Sequence, residues 1–132
     1  MFEISVTRTF CASHQVRFRN GTLEPMHGHN WTVTVTVWAT HLDADGFVID
    51  FHRLEKRLDA IVTPLNNAHL NDAKLLRGAN PSAEIVCRAI SQALVIDPPA
   101  ALLSVSITEA PGCVATYRPG PPALPDFGAM NG

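Results

Sequence analysis

The segment Trp31 to Thr40 constrains this chain most, because valines at 33, 35 and 37 alternate with threonines at 32, 34 and 36. Side chains two apart on an extended backbone share a face, so the run carries an apolar stripe and a polar stripe. β-Branched residues on both faces suit a pleated sheet and disfavour a helix. A second alternating run, Phe2 to Phe10, sets Phe2, Ile4 and Val6 against Glu3, Ser5 and Thr7. The two are predicted to be antiparallel neighbours, joined through a loop marked by Asn20-Gly21.

The period then changes. After the turn His41 to Gly46 and the short apolar run Phe47 to Ile49, Asp50 reads as a helix N-cap. Phe51, Leu54, Leu58, Ile61, Val62 and Leu65 follow at helical spacing, which predicts a first helix over residues 51–63. Pro64 and Asn66-Asn67 close it, and a polar loop, residues 67–78, carries His69. A second helix is predicted to open with Asn80 as cap and Pro81 at the first helical position, and to stop before Asp97-Pro98-Pro99. Leu102 to Thr108 and Cys113 to Tyr117 read as a hairpin across Ala110-Pro111-Gly112. The predicted order is two strands, two helices, two strands.

A chain of 132 residues fits one domain. Residues 1–118 are expected to form it, with a proline-rich tail, residues 119–132, poorly ordered. Hydrophobic residues make up 46% but never approach the ~20 consecutive positions a membrane span needs. The start Met1-Phe-Glu-Ile-Ser lacks a basic, apolar leader, so a cytoplasmic protein is expected. Ten basic and twelve acidic residues give a net charge of −2 with no basic cluster, which argues against nucleic acid as partner. Cys11, Cys87 and Cys113 are too scattered for a disulfide framework or a metal knuckle. They read as reduced thiols, with Cys11 a small buried residue.

Chemistry concentrates in the histidines. His27 and His29 flank Gly28 at the spacing that puts two imidazoles on one face of an extended segment, and Gly28 removes a Cβ that would crowd an ion there. His14, on the parity of Phe10 and Ala12, is the third candidate. Three neutral imidazoles leave one tetrahedral position open, the arrangement of a catalytic zinc. No fourth protein ligand, which a closed structural site would want, is evident.

Phe10-x-Ala12-x-His14, His27-Gly28-His29-Asn30, Val48-Ile49-Asp50-Phe51, Leu70-Asn71, Asn80-Pro81-Ser82-Ala83-Glu84 and Thr108-Glu109, in that order, resemble the 6-pyruvoyltetrahydropterin synthase and 6-carboxytetrahydropterin synthase family. The resemblance covers about Phe2 to Tyr117. It implies an α+β domain of the tetrahydropterin-synthase type (T-fold), with an antiparallel sheet, chain order ββααββ and two helices on one face. It further implies an oligomeric barrel, a trimer or dimer of trimers, with active sites at subunit interfaces. By position, His14, His27 and His29 match zinc ligands. Glu109 matches the glutamate that anchors the pterin ring, with Thr108 beside it. An ionised carboxylate can accept the two parallel N–H bonds an aminopyrimidine edge offers.

Two departures stand out. The classical members carry a cysteine base four residues before the first histidine of His-Gly-His, where this chain has Leu23; the adjacent Glu24 resembles the glutamate of a branch in which that residue takes over. The family's Leu-Asp-His becomes Leu65-Asn66-Asn67, replacing both titrating groups by amides, and leaves His69 as the nearby candidate for proton transfer. Arg17, Arg19, Lys74 and Arg77 are candidate phosphate contacts. The function implied is a zinc-dependent lyase acting on the side chain of dihydroneopterin or its triphosphate. The alternative is a non-catalytic, metal-containing pterin-binding oligomer.

Overall fold

The computed structural model describes residues 1–120, so the predicted tail lies outside the described residues from 121 onward. Strands β1 (Phe2–His14) and β2 (His27–Ala39) pair antiparallel without a bulge, from Phe2 opposite Ala39 to His14 opposite His27. The histidine pair is therefore strand, not loop. Helix α1 (Phe51–Val62) starts on Asp50, whose side chain accepts the His52 N–H at 2.7 Å. Next come a two-residue strand, β3 (Ala68–His69), helix α2 (Ala83–Ala93), and the hairpin β4 (Ala101–Ala110) and β5 (Cys113–Tyr117).

The sheet order is β3-β1-β2-β4-β5, and β3 runs parallel to β1. The architecture is α+β as expected, but the sheet is mixed rather than purely antiparallel, and the chain order is ββαβαββ rather than ββααββ. A two-residue strand has no periodicity to read; it is drawn to the β1 edge, where the Asn67 N–H donates to the Cys11 carbonyl at 2.6 Å.

One face of the sheet carries the core. Val33, Val35 and Val37 are fully buried beside Val105 and Ile107 of β4, under Leu54 and Leu58 of α1 and Val86 and Ile90 of α2. Burying each such side chain contributes about 1.5–3 kcal/mol. Arg8 ties α1 to β1 through Glu55 and Asp59, each at 2.6 Å. The opposite face is paved with hydroxyls: Ser5 meets Thr36, Thr7 meets Thr34 and Thr9 meets Thr32 across β1 and β2. Cys11 lies on this open side and is exposed, contrary to the expected burial, because only the even positions of β1 face the core.

The second helix begins on Ser82, whose hydroxyl accepts the Ile85 N–H, and not on Asn80. It ends at Ala93, well before the prolines. Asn80 is used elsewhere: its side-chain amide bonds both the N–H and the carbonyl of Arg17, at 2.8 and 2.9 Å. Asn71 clamps Gln15 in the same two-bond fashion, and Asn66 accepts the Cys11 N–H. Three amides thus stand in for a neighbouring strand along β1 and its continuation, supplying partners that a bare sheet edge lacks.

Replacing Asn71 by alanine leaves both main-chain groups of Gln15 unpartnered in a half-buried setting. The expected loss is about 1–3 kcal/mol, read as a lower urea midpoint at unchanged slope.

Candidate metal centre

Parity delivers the site. His14 continues the inward positions Phe10 and Ala12 of β1, while His27 and His29 continue the inward positions of Trp31 and the buried valines of β2. Three imidazoles therefore cap one end of the apolar face. Phe10 stacks on Trp31 at 6.0 Å, and Trp31 in turn presents its ring to the edges of His14 and His29 at 4.8 and 5.6 Å. The Trp31 indole N–H donates to the Ala12 carbonyl at 3.0 Å, fixing the ring that forms the floor.

Two backbone carbonyls set the tautomers. Nδ1 of His14 lies 2.8 Å from the Pro81 carbonyl, and Nδ1 of His27 lies 2.9 Å from the Pro25 carbonyl. A carbonyl only accepts, so both Nδ1 atoms carry the proton and both Nε2 atoms present lone pairs. Those two Nε2 atoms stand 3.0 Å apart. Facing lone pairs at that separation repel unless a proton or cation lies between them. Orienting ligating histidines through carbonyls in this way is what metal sites do.

Two further observations fit a metal. Nε2 of His29 is, among the described residues, the one buried side-chain nitrogen or oxygen without a hydrogen-bond partner. Its burial pushes the His29 pKa below the usual imidazole value, against the opposing pull of Glu109, and so favours the neutral ligand form. A ligand atom from each of His14, His27, His29 and Glu109 lies within 4.8 Å of the others. Donors sharing a small metal ion about 2.1 Å away would stand about 3.4 Å apart, so the cluster could hold such an ion.

Glu109 continues the inward positions Val105 and Ile107 of β4, beside a register shift of the β4–β5 ladder between Thr108 and Ala110. Its Oε1 lies 3.0 Å from Nε2 of His14 and 3.3 Å from Nε2 of His29. A fourth candidate ligand is therefore present after all, on the inward parity of Val105 and Ile107. Glu24 also arrives: its Oε1 is 3.8 Å from Nε2 of both His14 and His27 and accepts the Val16 N–H at 2.9 Å.

Other candidates lie elsewhere. His69 bonds the Ser13 hydroxyl at 2.9 Å, and Ser13 points to the sheet face opposite His14, so one chain does not bring His69 to the cluster. His69 instead borders an apolar cleft of about 680 Å³ with Ile61, Leu65, Ala68 and Leu75, away from the imidazoles. The Thr108 side chain lies on the hydroxyl face, opposite Thr32. Arg17 and Arg19 line another hollow with Asn80 and Pro81, whereas Lys74 borders the cleft beside His69. A Cβ on Gly28 would meet the Ala12 carbonyl at an ordinary 3.7 Å, so that glycine does not make room for an ion.

Comparison with known proteins follows the same lines. Residues 3–120 match the family model described as 6-pyruvoyl tetrahydropterin synthase. A 6-carboxy-5,6,7,8-tetrahydropterin synthase of Bacillus subtilis is 27% identical over 125 residues, covering 89% of this chain and 86% of the relative. In fold, the chain is similar to the 6-pyruvoyl tetrahydropterin synthase of Caenorhabditis elegans, with TM-score 0.78 at 19% identity over 90% of this chain and 96% of the other. It is also similar to a catalytic-residue variant of the Plasmodium vivax 6-pyruvoyltetrahydropterin synthase in which a glutamate is replaced by alanine. That match has TM-score 0.72 at 20% identity and covers 88% of this chain and 96% of that one.

Protons and metal compete for the imidazoles, so bound zinc should be retained at about pH 7.5 and lost by about pH 5. The lowered His29 pKa moves that loss to more acid values than an ordinary imidazole would give. His29→Ala should lose most bound zinc already at the higher pH. Equilibrium dialysis with elemental analysis reads both.

Proposed function

The chain belongs to the 6-pyruvoyl tetrahydropterin synthase family, and we propose that it is a zinc-dependent lyase acting on the side chain of a dihydropterin, dihydroneopterin or its triphosphate. The observation that carries this reading is the convergence of three oriented imidazoles with two carboxylates, Glu24 and Glu109, at one end of the apolar face. Zinc held by His14, His27 and His29 would supply Lewis acidity toward the substrate's side-chain hydroxyls.

The chain's own groups account for the rest. Glu24 is the proposed base: its carboxylate is held by the Val16 N–H and sits beside His14 and His27, within reach of a proton on a substrate carbon near the ion. The catalytic glutamate of the Plasmodium vivax relative supports a carboxylate in that role. Glu109, with its neighbour Thr108, is proposed to hold the pterin ring by accepting two parallel N–H bonds. His69 lies on the other sheet face, so any proton transfer by it would serve a site formed with a second copy. Subunits assembled into a ring, a trimer or a dimer of trimers with sites at their interfaces, would provide that arrangement. With a carboxylate base and amides at Asn66 and Asn67, cleavage of a side-chain carbon–carbon bond and loss of triphosphate are both open to the site. None of the helices described is long and apolar enough to cross a membrane, and the proposed setting is the cytoplasm.

A second reading, a pterin-binding oligomer without turnover, draws on one observation. Asn66 spends its side-chain oxygen on the Cys11 N–H, a structural bond in place of a relay. Zinc-loaded protein incubated anaerobically with dihydroneopterin triphosphate, and separately with dihydroneopterin, separates the two by product chromatography. Turnover of either is expected; pterin binding with no turnover of either would select the second reading. Glu24→Gln should lower kcat by about 10²–10⁴-fold with zinc content unchanged. Retained activity would remove Glu24 from the mechanism.

A further inference from the structure

We propose that Glu109 is a displaceable fourth ligand, closing the metal in the resting protein and leaving it when a pterin binds, so that ring recognition and exposure of the metal are one event. The proposal rests on the zinc and pterin reading above and adds a coupling to it.

The geometry argues for the closed state. Oε1 of Glu109 lies 3.0 and 3.3 Å from two of the three converging Nε2 atoms, the spacing of donors around a common small ion rather than of an outer-shell residue. Glu24, the other carboxylate nearby, stands off at 3.8 Å and has its Oε1 engaged by the Val16 N–H. Three histidines and one glutamate complete a tetrahedron, and a completed tetrahedron has no place for substrate oxygens.

The aim of the carboxylate argues for displacement. A carboxylate that grips the pterin edge uses both oxygens in parallel, whereas Oε1 of Glu109 points into the imidazole cluster. A carboxylate turned to lay both oxygens along a ring edge no longer aims Oε1 at the imidazole nitrogens, so the two engagements call for different orientations of one side chain. Glu109 sits where the β4–β5 register shifts, between Thr108 and Ala110, so the side chain hangs from a locally irregular ladder that can re-aim it. Pterin binding therefore frees one coordination position, and the metal remains shielded from water and adventitious anions until the ring is in place.

Cobalt(II) substitution reads coordination directly, without activity. The wild-type cobalt protein is expected to show intense four-coordinate d–d bands that added thiocyanate leaves unchanged, and that neopterin shifts. Glu109→Gln should make the bands respond to thiocyanate in the absence of pterin, and should weaken cobalt binding by at least the roughly tenfold that loss of an outer-shell partner costs. Glu24→Gln, the comparison variant, should stay unresponsive to thiocyanate. A wild-type spectrum that already answers thiocyanate, or a Glu109→Gln spectrum identical to wild type, overturns the Glu109 assignment and leaves the metal reading standing. A wild-type protein that binds no cobalt overturns both.

Discussion

Everything at the site depends on the unbroken register between β1 and β2. Their pairing runs from Phe2 opposite Ala39 to His14 opposite His27 with no inserted residue. Because side chains alternate, a slip of β2 by one position against β1 would send His27 and His29 to the hydroxyl face, away from His14, and turn the threonines of β2 inward. The valines of β2 prevent that: Val33, Val35 and Val37 are fully buried, and no other parity covers them. The hydrophobic core and the metal cluster are thus one stripe of the same sheet face, apolar along most of its length and imidazole at its end.

That arrangement explains the electrostatics. Trp31 walls the cluster on the inner side, so His29 is desolvated enough to favour its neutral form. The carbonyls of Pro81 and Pro25 hold the outer nitrogens of His14 and His27, and prolines suit that duty because the flanking chain is stiff. The Pro81 carbonyl is itself positioned from two sides: Asn80 is locked to Arg17 and Ser82 caps α2. One candidate metal ligand therefore depends on a helix start that lies 67 residues away in sequence.

The alternating strands, the Asp50 cap and the shared parity of the three histidines were legible in the sequence because each rests on a local period or a single local bond. What escaped was non-local. Asn80 looks like a cap, yet its amide is consumed by the backbone of Arg17, and the helix starts on Ser82 instead. Two-residue β3 exists because Asn66 and Asn67 bond Cys11, an interaction with no periodic trace. The parity of Glu109 with Val105 and Ile107 can be counted along β4, but its approach to the imidazoles rests on the pairing of β4 with β2, which is non-local. His69 could be named from its type but not placed: only its bond to Ser13 shows which side of the sheet it occupies.

The substitution of amides for titrating groups takes on a physical meaning once the three clamps are seen together. Asn66, Asn71 and Asn80 each bond the backbone of the segment that carries His14, at Cys11, Gln15 and Arg17 in turn. At Asn71 and Asn80 an amide does what an ionised carboxylate cannot, since it answers a carbonyl as well as an N–H. Asn66 thus adds rigidity to the strand bearing a metal ligand at a position where a titratable group would add a proton store. The carboxylates near the imidazoles are Glu24, closest to His14 and His27, and Glu109, closest to His14 and His29. The two carboxylates are held differently, one kept by a backbone N–H and one facing the imidazole nitrogens, so the two ends of the cluster present different surroundings to a bound group.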